Sequence, residues 1–165
     1  MPLAIVGQAP SRQGDGRAFS GPSGDRLVKL LGVESYLDLY RIAHLENLLT
    51  EVQRKLPDGR GDHFDLIEAR ANAKMSLQVM LFLNRNTQVI ACGHKVYKAY
   101  TGRKGEYFKG VRVKTSVYNP VHTVDIWCFP HPSGASPFWN ERENVIQAAK
   151  FIRRVRERSA KLDAQ

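Results

Sequence analysis

Cysteine is scarce: the sequence holds only Cys92 and Cys128. They lie 36 positions apart, each within an apolar stretch. That fits buried reduced thiols and excludes both a disulfide framework and a four-cysteine metal or iron–sulfur site. The five histidines, at positions 44, 63, 94, 122 and 131, show no close ligand spacing of the His-Glu-x-x-His kind, so no metal is expected. Long hydrophobic runs are missing as well. Those at 3–6 and 79–83 fall far below the roughly 18 residues that a spanning helix needs, so no membrane contact is expected. The N-terminus lacks the basic, apolar and small-residue zones of a signal peptide, and a cytoplasmic protein is the expectation.

Acidic residues are the other shortage. Sixteen Asp and Glu face 25 Lys and Arg, which leaves a formal net charge of +9 and a pI near 9.8. The excess is concentrated: residues 95–114 hold seven Lys or Arg against the single acid Glu106, a net +6. A polyanionic partner follows from this, since phosphate neutralisation with counterion release supplies most nonspecific affinity for nucleic acids. A solvated basic face that only aids solubility is the alternative. Tyr97, Tyr100, Tyr107, Phe108 and Tyr118 lie in or near the basic stretch. Aromatic rings among cations can stack on bases, but some of these must be core.

The remaining composition is that of an ordinary globular chain: 165 residues, 42% hydrophobic, with a mean hydropathy of −0.38. Collagen, a coiled-coil rod and wholesale disorder are excluded. At roughly 150 residues per domain, residues 1–165 read as one domain, and a monomer is expected.

Leu3-Ala4-Ile5-Val6 ends at Gly7, as a strand buried on both faces of a parallel sheet does. Residues 7–24 carry too many Gly, Pro and Ser for regular structure and form a loop. Leu27, Val28, Leu30 and Leu31 give a short helix stopped by Gly32. Residues 40–49 read as a second strand running into a loop, with a helix in competition, and 54–65 as a polar connection. The clearest helix spans 66–83, with Ile67, Ala71, Met75, Leu77, Val79 and Leu81 on its apolar face and Asn84 and Asn86 closing it. A third strand at 88–92 and a short helix at 94–100 follow. Val111, Val113 and Val117 alternate with Arg112, Lys114 and Ser116 in a hairpin-like excursion. A fourth strand at 123–129, a loop at 131–140 and a final helix to about residue 158, with Val145, Ala148, Ala149, Ile152 and Val155 on its buried stripe, complete the chain. The alternation predicts a three-layer α/β/α fold around a central, mainly parallel four-stranded sheet, with ligands at the carboxyl ends of the strands.

Two loops then meet at that edge. The first, from Gly7 onward, is neither Gly-x-Gly-x-x-Gly nor a Walker sequence, and no cofactor is expected. It begins Gly7-Gln8-Ala9-Pro10 and continues to Ala18-Phe19-Ser20-Gly21. The second reads His131-Pro132-Ser133-Gly134. With a middle strand ending near Asn47 and Val89-Ile90-Ala91-Cys92-Gly93, these segments, in this order, resemble the uracil-DNA glycosylase superfamily. The resemblance spans most of the chain.

It implies a partner, DNA carrying uracil or a related deaminated base, and hydrolysis of the bond from base to deoxyribose after the base is taken out of the stack. By similarity, His131 would donate a hydrogen bond to the charge developing on the departing base, helped by main-chain N–H groups of Gly7, Gln8 and Ala9. Phe19 would stack on the base. Asn47 would read its Watson–Crick edge, because a carboxamide offers both donor and acceptor. Ser20, Ser23, Ser133 and Gly134 would lie along DNA phosphates, with Lys104 and Lys109 adding charge. The position that carries a bulky wedge in the superfamily is Ala135 here, so Phe138 or Trp139 would fill the gap left by the base.

Several branches place the water-orienting acid or Asn at the position of Gln8 or Ala9, and one further branch at that of Pro22. None of the three is a carboxylate in this sequence. Asp15, the only acid in the loop before Phe19, is the candidate to position water, with Gln8 as the other. Each of these residues also has a plain structural reading, as a turn, cap or core residue.

Overall fold

Four apolar residues and a glycine form the first strand, β1 (Leu3–Gly7), of the computed structural model, and every one of them is buried. Residues 3–52, 54–83, 86–115 and 122–163 are described by the structure. β1 is flanked in parallel by β2 (His44–Asn47) and by β3 (Asn86–Cys92), and β3 pairs in parallel with β5 (His122–Phe129). The sheet order is β2-β1-β3-β5-β4, with β4 (Gly110–Thr115) antiparallel to β5 at the edge.

The sheet thus has five strands, one more than the sequence pattern suggests. The fifth is the basic excursion itself. Val111 and Val113 lie opposite Ile126 and Val124, while Arg112 lies opposite Asp125 and ion-pairs with it at 2.6 Å. An alternating strand of this kind packs its apolar face on the core and gives its polar face to water, as antiparallel pairing allows. Ser116, Val117 and Tyr118 lie outside the described residues, as does Asn84.

Two apolar layers sandwich the sheet because strand side chains alternate. Leu3 and Ile5 of β1 join Ile90 of β3 and Phe129 of β5 in one cluster. This cluster packs on α1 (Pro22–Leu31), α2 (Tyr36–Ile42) and α5 (Arg142–Asp163) through Leu27, Leu39 and Ile152. Ala4, Val6, Val89 and Ile126 face the other way, against α3 (Leu66–Leu83) and α4 (His94–Thr101).

The segment 40–49, read as a strand running into a loop with a helix in competition, holds all three: the helix takes residues up to Ile42, the strand ends at Asn47, and a loop follows. Ser35 accepts a hydrogen bond from the Asp38 amide while the Asp38 carboxylate accepts from the Ser35 amide, a capping box that starts α2. Only His44–Asn47 is left as strand. α3 has its expected span but not its expected face. It packs through Ala69, Ala73, Met80 and Leu81, whereas Ile67 is 84% and Met75 61% exposed, and Val79 also faces solvent. Small alanines let the helix approach the sheet closely, and side-chain size decides the buried face here over hydrophobicity. In α5 the stripe holds at Ala148, Ile152 and Val155, but Val145 is exposed. Among the described residues, no helix is long and apolar enough to cross a membrane.

Candidate active site

Main-chain pairing brings the first two functional segments together. Gly7 is in register with Asn47. The Leu48 amide donates to the Gly7 carbonyl at 3.1 Å, and the Leu49 amide to that of Gln8 at 2.9 Å. A cavity of about 300 Å³ opens at this strand end. Gly7, Gln8, Ala9, Phe19, Ser23 and Asn47 line it, and His131, Ser133 and Gly134 close it from the far end of the chain. That volume is at the small end of sites for organic ligands.

Glycine is required at position 7 by space. A Cβ there would collide with Asn47 Oδ1 and come within 3.0 Å of Phe19 Cζ. Phe19 is only 6% exposed, and its φ of 58° lies in the left-handed region. A bulky residue held there costs about 1–3 kcal/mol, and such strain collects at functional sites. Among the described residues, Phe19 and Phe108 are the non-glycine residues with this geometry. The backbone at Phe19 is fixed by its neighbours: Ser20 Oγ accepts from the Asp15 amide at 3.0 Å and donates to the Arg17 carbonyl at 2.8 Å. Ser20 is thereby committed within its own loop and does not line the cavity.

His131 follows β5, and its ring packs beside Gly93, whose φ of 100° turns the chain from β3 into α4. Its Nδ1 accepts a hydrogen bond from the Ser133 amide at 3.2 Å. In the neutral ring one nitrogen accepts and the other donates, so the proton sits on Nε2. Burial lowers the His131 pKa, the Asp62 carboxylate opposes that, and the Lys95 charge adds to it, for a net value below the usual 6.5. Trp139 Nε1 donates to the His131 carbonyl at 2.7 Å, which ties the loop to the core.

A stability consequence follows, with its sign fixed by proton binding. The unfolded chain takes up a proton near pH 6.5 that folded His131 refuses, so this residue's contribution to stability is lost as pH falls below that value.

Other expected residues sit elsewhere. Asp15 does not line the cavity. Its carboxylate is exposed and bound to Arg17, with Nε at 2.7 Å and Nη2 also in contact. Hydrogen bonds from the Arg17 side chain and backbone and from Ser20 hold it far below the usual carboxylate range. A carboxylate committed to a guanidinium at the rim does not fit the water-positioning role expected of it. Gln8 lines the cavity, and its Nε2 is buried with no hydrogen-bond partner. Buried donors without partners are rare and costly.

Trp139 is 9% exposed, packed against Phe129 and Phe138, which does not suit a wedge that must leave the protein surface. Phe138 is half-buried between Tyr107 and Phe108. Lys104 and Lys109 are exposed and outside the cavity, and Lys109 pairs with Glu106 at 2.8 Å. Their loop lies at the same end of the sheet, since the Cys128 amide donates to the Lys109 carbonyl at 2.9 Å.

Ser11, Gln13, Gly21, Pro22 and Ala135 also line the cavity. Gly21, Pro22 and Ala135 fall at positions marked by the motifs, whereas the sequence gives no reason to choose Ser11 and Gln13 over neighbouring loop residues. Arg26 of α1 was equally hidden. Its guanidinium lies 4.8 Å above the Trp139 ring, and its Nη1 is buried without a partner. Among the described residues, no group of three or more His, Cys, Asp or Glu side chains is placed to hold a metal.

A mainly parallel sheet layered by helices, with a cavity at the carboxyl ends of its strands shared by the first and last loops, makes this a three-layer α/β/α protein. The family model of the uracil DNA glycosylase superfamily matches residues 1–155, and the chain belongs to that superfamily. No curated protein matches the chain significantly.

Proposed function

We propose that the protein is a DNA glycosylase that hydrolyses the N-glycosidic bond of uracil or a related deaminated base in DNA. The observation that carries this reading is the shared cavity: His131 with Ser133 and Gly134 faces Gly7, Phe19 and Asn47 across a space fit for one small organic ligand.

In this reading the extruded base stacks on Phe19, and the Asn47 carboxamide pairs with its polar edge. Water adds to the sugar C1′ as the bond from C1′ to the base nitrogen breaks, and the proton it sheds passes through solvent to the released base anion. The electron pair leaves with the base, and the charge on its carbonyl oxygen is met by the His131 Nε2–H. A preorganised donor needs no rearrangement at that moment, which is why it is worth so much. A neutral imidazole serves well because no proton has to be transferred. Gln8 lines the cavity and brings a carboxamide to the side where the water or the base is held.

The test is incubation with a uracil-containing oligonucleotide followed by alkaline cleavage of abasic sites, repeated with hypoxanthine and xanthine in paired and unpaired strands. Cleavage of at least one substrate is the expected result. No product from any of them at high protein excess would end the reading. One observation favours a second reading, a DNA-binding member with weak or no catalysis: among the described residues no carboxylate lines the cavity. It predicts salt-dependent affinity for uracil-containing DNA without excision.

Two finer predictions belong here. Asp15→Asn should excise at the parent's rate, because its carboxylate is engaged with Arg17 outside the cavity. A loss of tenfold or more would return Asp15 to the mechanism. The rate should stay level as pH falls from 8 through 6.5 and drop only below, since His131 keeps its Nε2 proton and an unprotonated Nδ1 that accepts from the Ser133 amide throughout. A rate that rises as pH falls through 6.5 would mean that the imidazolium is the active form.

A further inference from the structure

Beside the cavity stands a second ring that the reading above leaves unused. His94 opens α4, directly after the Gly93 that abuts the His131 ring. Its side chain is exposed, yet it is held in place twice. One face is stacked on Tyr107, with centroids 4.4 Å apart and an interplanar angle of 14°, and its Nδ1 meets Cys128 Sγ at 3.7 Å. Exposed imidazoles ordinarily sample several rotamers. This one is fixed, and among the described residues Tyr107 is the ring stacked on it.

Its surroundings suit a nucleic acid strand. Tyr107 in turn meets Phe138 edge-on at 5.5 Å, so the stack leans on the loop that carries His131. Gly105 packs so closely on Tyr97 and Cys128 that a Cβ there would clash with both, and this seats the exposed Arg103 and Lys104 next to the stack. Lys95, the next residue of α4, lies over the Phe64 ring and donates to the Asp62 carbonyl.

We propose that the His94–Tyr107 stack is a platform for an unpaired nucleobase neighbouring the one in the cavity, so that the protein binds single-stranded DNA in preference to duplex. The proposal rests on the reading of the cavity as a site for DNA. A base in a duplex already has both faces covered by its neighbours, whereas an unpaired base can exchange water for an aromatic face. Every base has such a face, so the platform adds affinity without reading sequence. The flanking cations neutralise phosphate independently of it.

His94→Ala separates these contributions, and the side chain is exposed enough for its removal to leave the fold intact. Affinity is measured on an undamaged single-stranded oligonucleotide and on the same sequence as duplex, across a salt series. With base–aromatic stacking worth about 1–3 kcal/mol, the variant should bind the single strand about 5- to 150-fold more weakly, with its salt slope unchanged and duplex affinity within about twofold. His94→Tyr, which keeps a ring, should recover most of the loss, and His94→Lys, which keeps only a cation, should not. Equal single-strand affinity in parent and His94→Ala would overturn the proposal. So would an equal loss on both DNA forms, or recovery by lysine alone. Excision by the parent is scored separately, so a parent that cuts uracil while His94→Ala binds normally removes the platform and leaves the proposed function standing. A parent that never cuts but shows the ring-dependent preference does the reverse.

Discussion

His131→Ala is expected to slow base release by about 10²- to 10³-fold while changing affinity for uracil-containing DNA little, because one preorganised donor aimed at a developing charge contributes on the order of 3–4 kcal/mol to the barrier. The ring is well suited to act at that step alone. Its Nδ1 is occupied by the Ser133 amide, its carbonyl by Trp139, and its Nε2 proton is left to donate. Single-turnover excision at saturating protein isolates the rate, and a binding titration on the same DNA isolates the affinity. Equal losses in both would make His131 a plain DNA contact, and no loss in either would remove it from the site.

Phe129→Ala should have the largest effect on stability. Phe129 ends β5, is fully buried, and packs against Phe108, Trp139 and Phe151. Truncating such a ring costs about 3–5 kcal/mol through lost burial and the cavity left behind. For a chain of this size that corresponds to a fall of roughly 10 °C or more in the thermal midpoint. Excision should fall as well, even well below the new midpoint, because Trp139 loses a packing partner while its indole is what holds the His131 carbonyl. A variant that melts early but cuts at the parent's rate in the cold would show that the loop is held by other means.

Much of this arrangement was legible in the residues. Leu3-Ala4-Ile5-Val6 before a glycine, the helix over 66–83 and the glycine-rich loop all fall where the pattern puts them, since each is set by local apolar spacing or by breakers. The cavity-lining positions of Gly7, Asn47 and His131 were legible for another reason, their place in ordered motifs. What was hidden depends on contacts made only after folding. The start of α2 rests on a reciprocal cap between Ser35 and Asp38, which competed poorly with the β-like Tyr40 and Ile42. The outward turn of Ile67 and Met75 reflects how closely Ala69 and Ala73 let α3 approach the sheet. Asp15 looked like the site's missing acid until Arg17, two residues away, was seen to claim it. Trp139 looked like a wedge because a sequence shows a ring and not the direction in which it points.

The strand order has a last implication. β3 lies between β1 and β5, so the loop bearing His131 cannot reach Gly7 and Phe19 until the middle of the sheet is built. The proposed base release therefore requires the completed sheet. No fragment that ends before β5 should cut DNA, and partial unfolding at either flank of β3 should extinguish the chemistry before the helices melt.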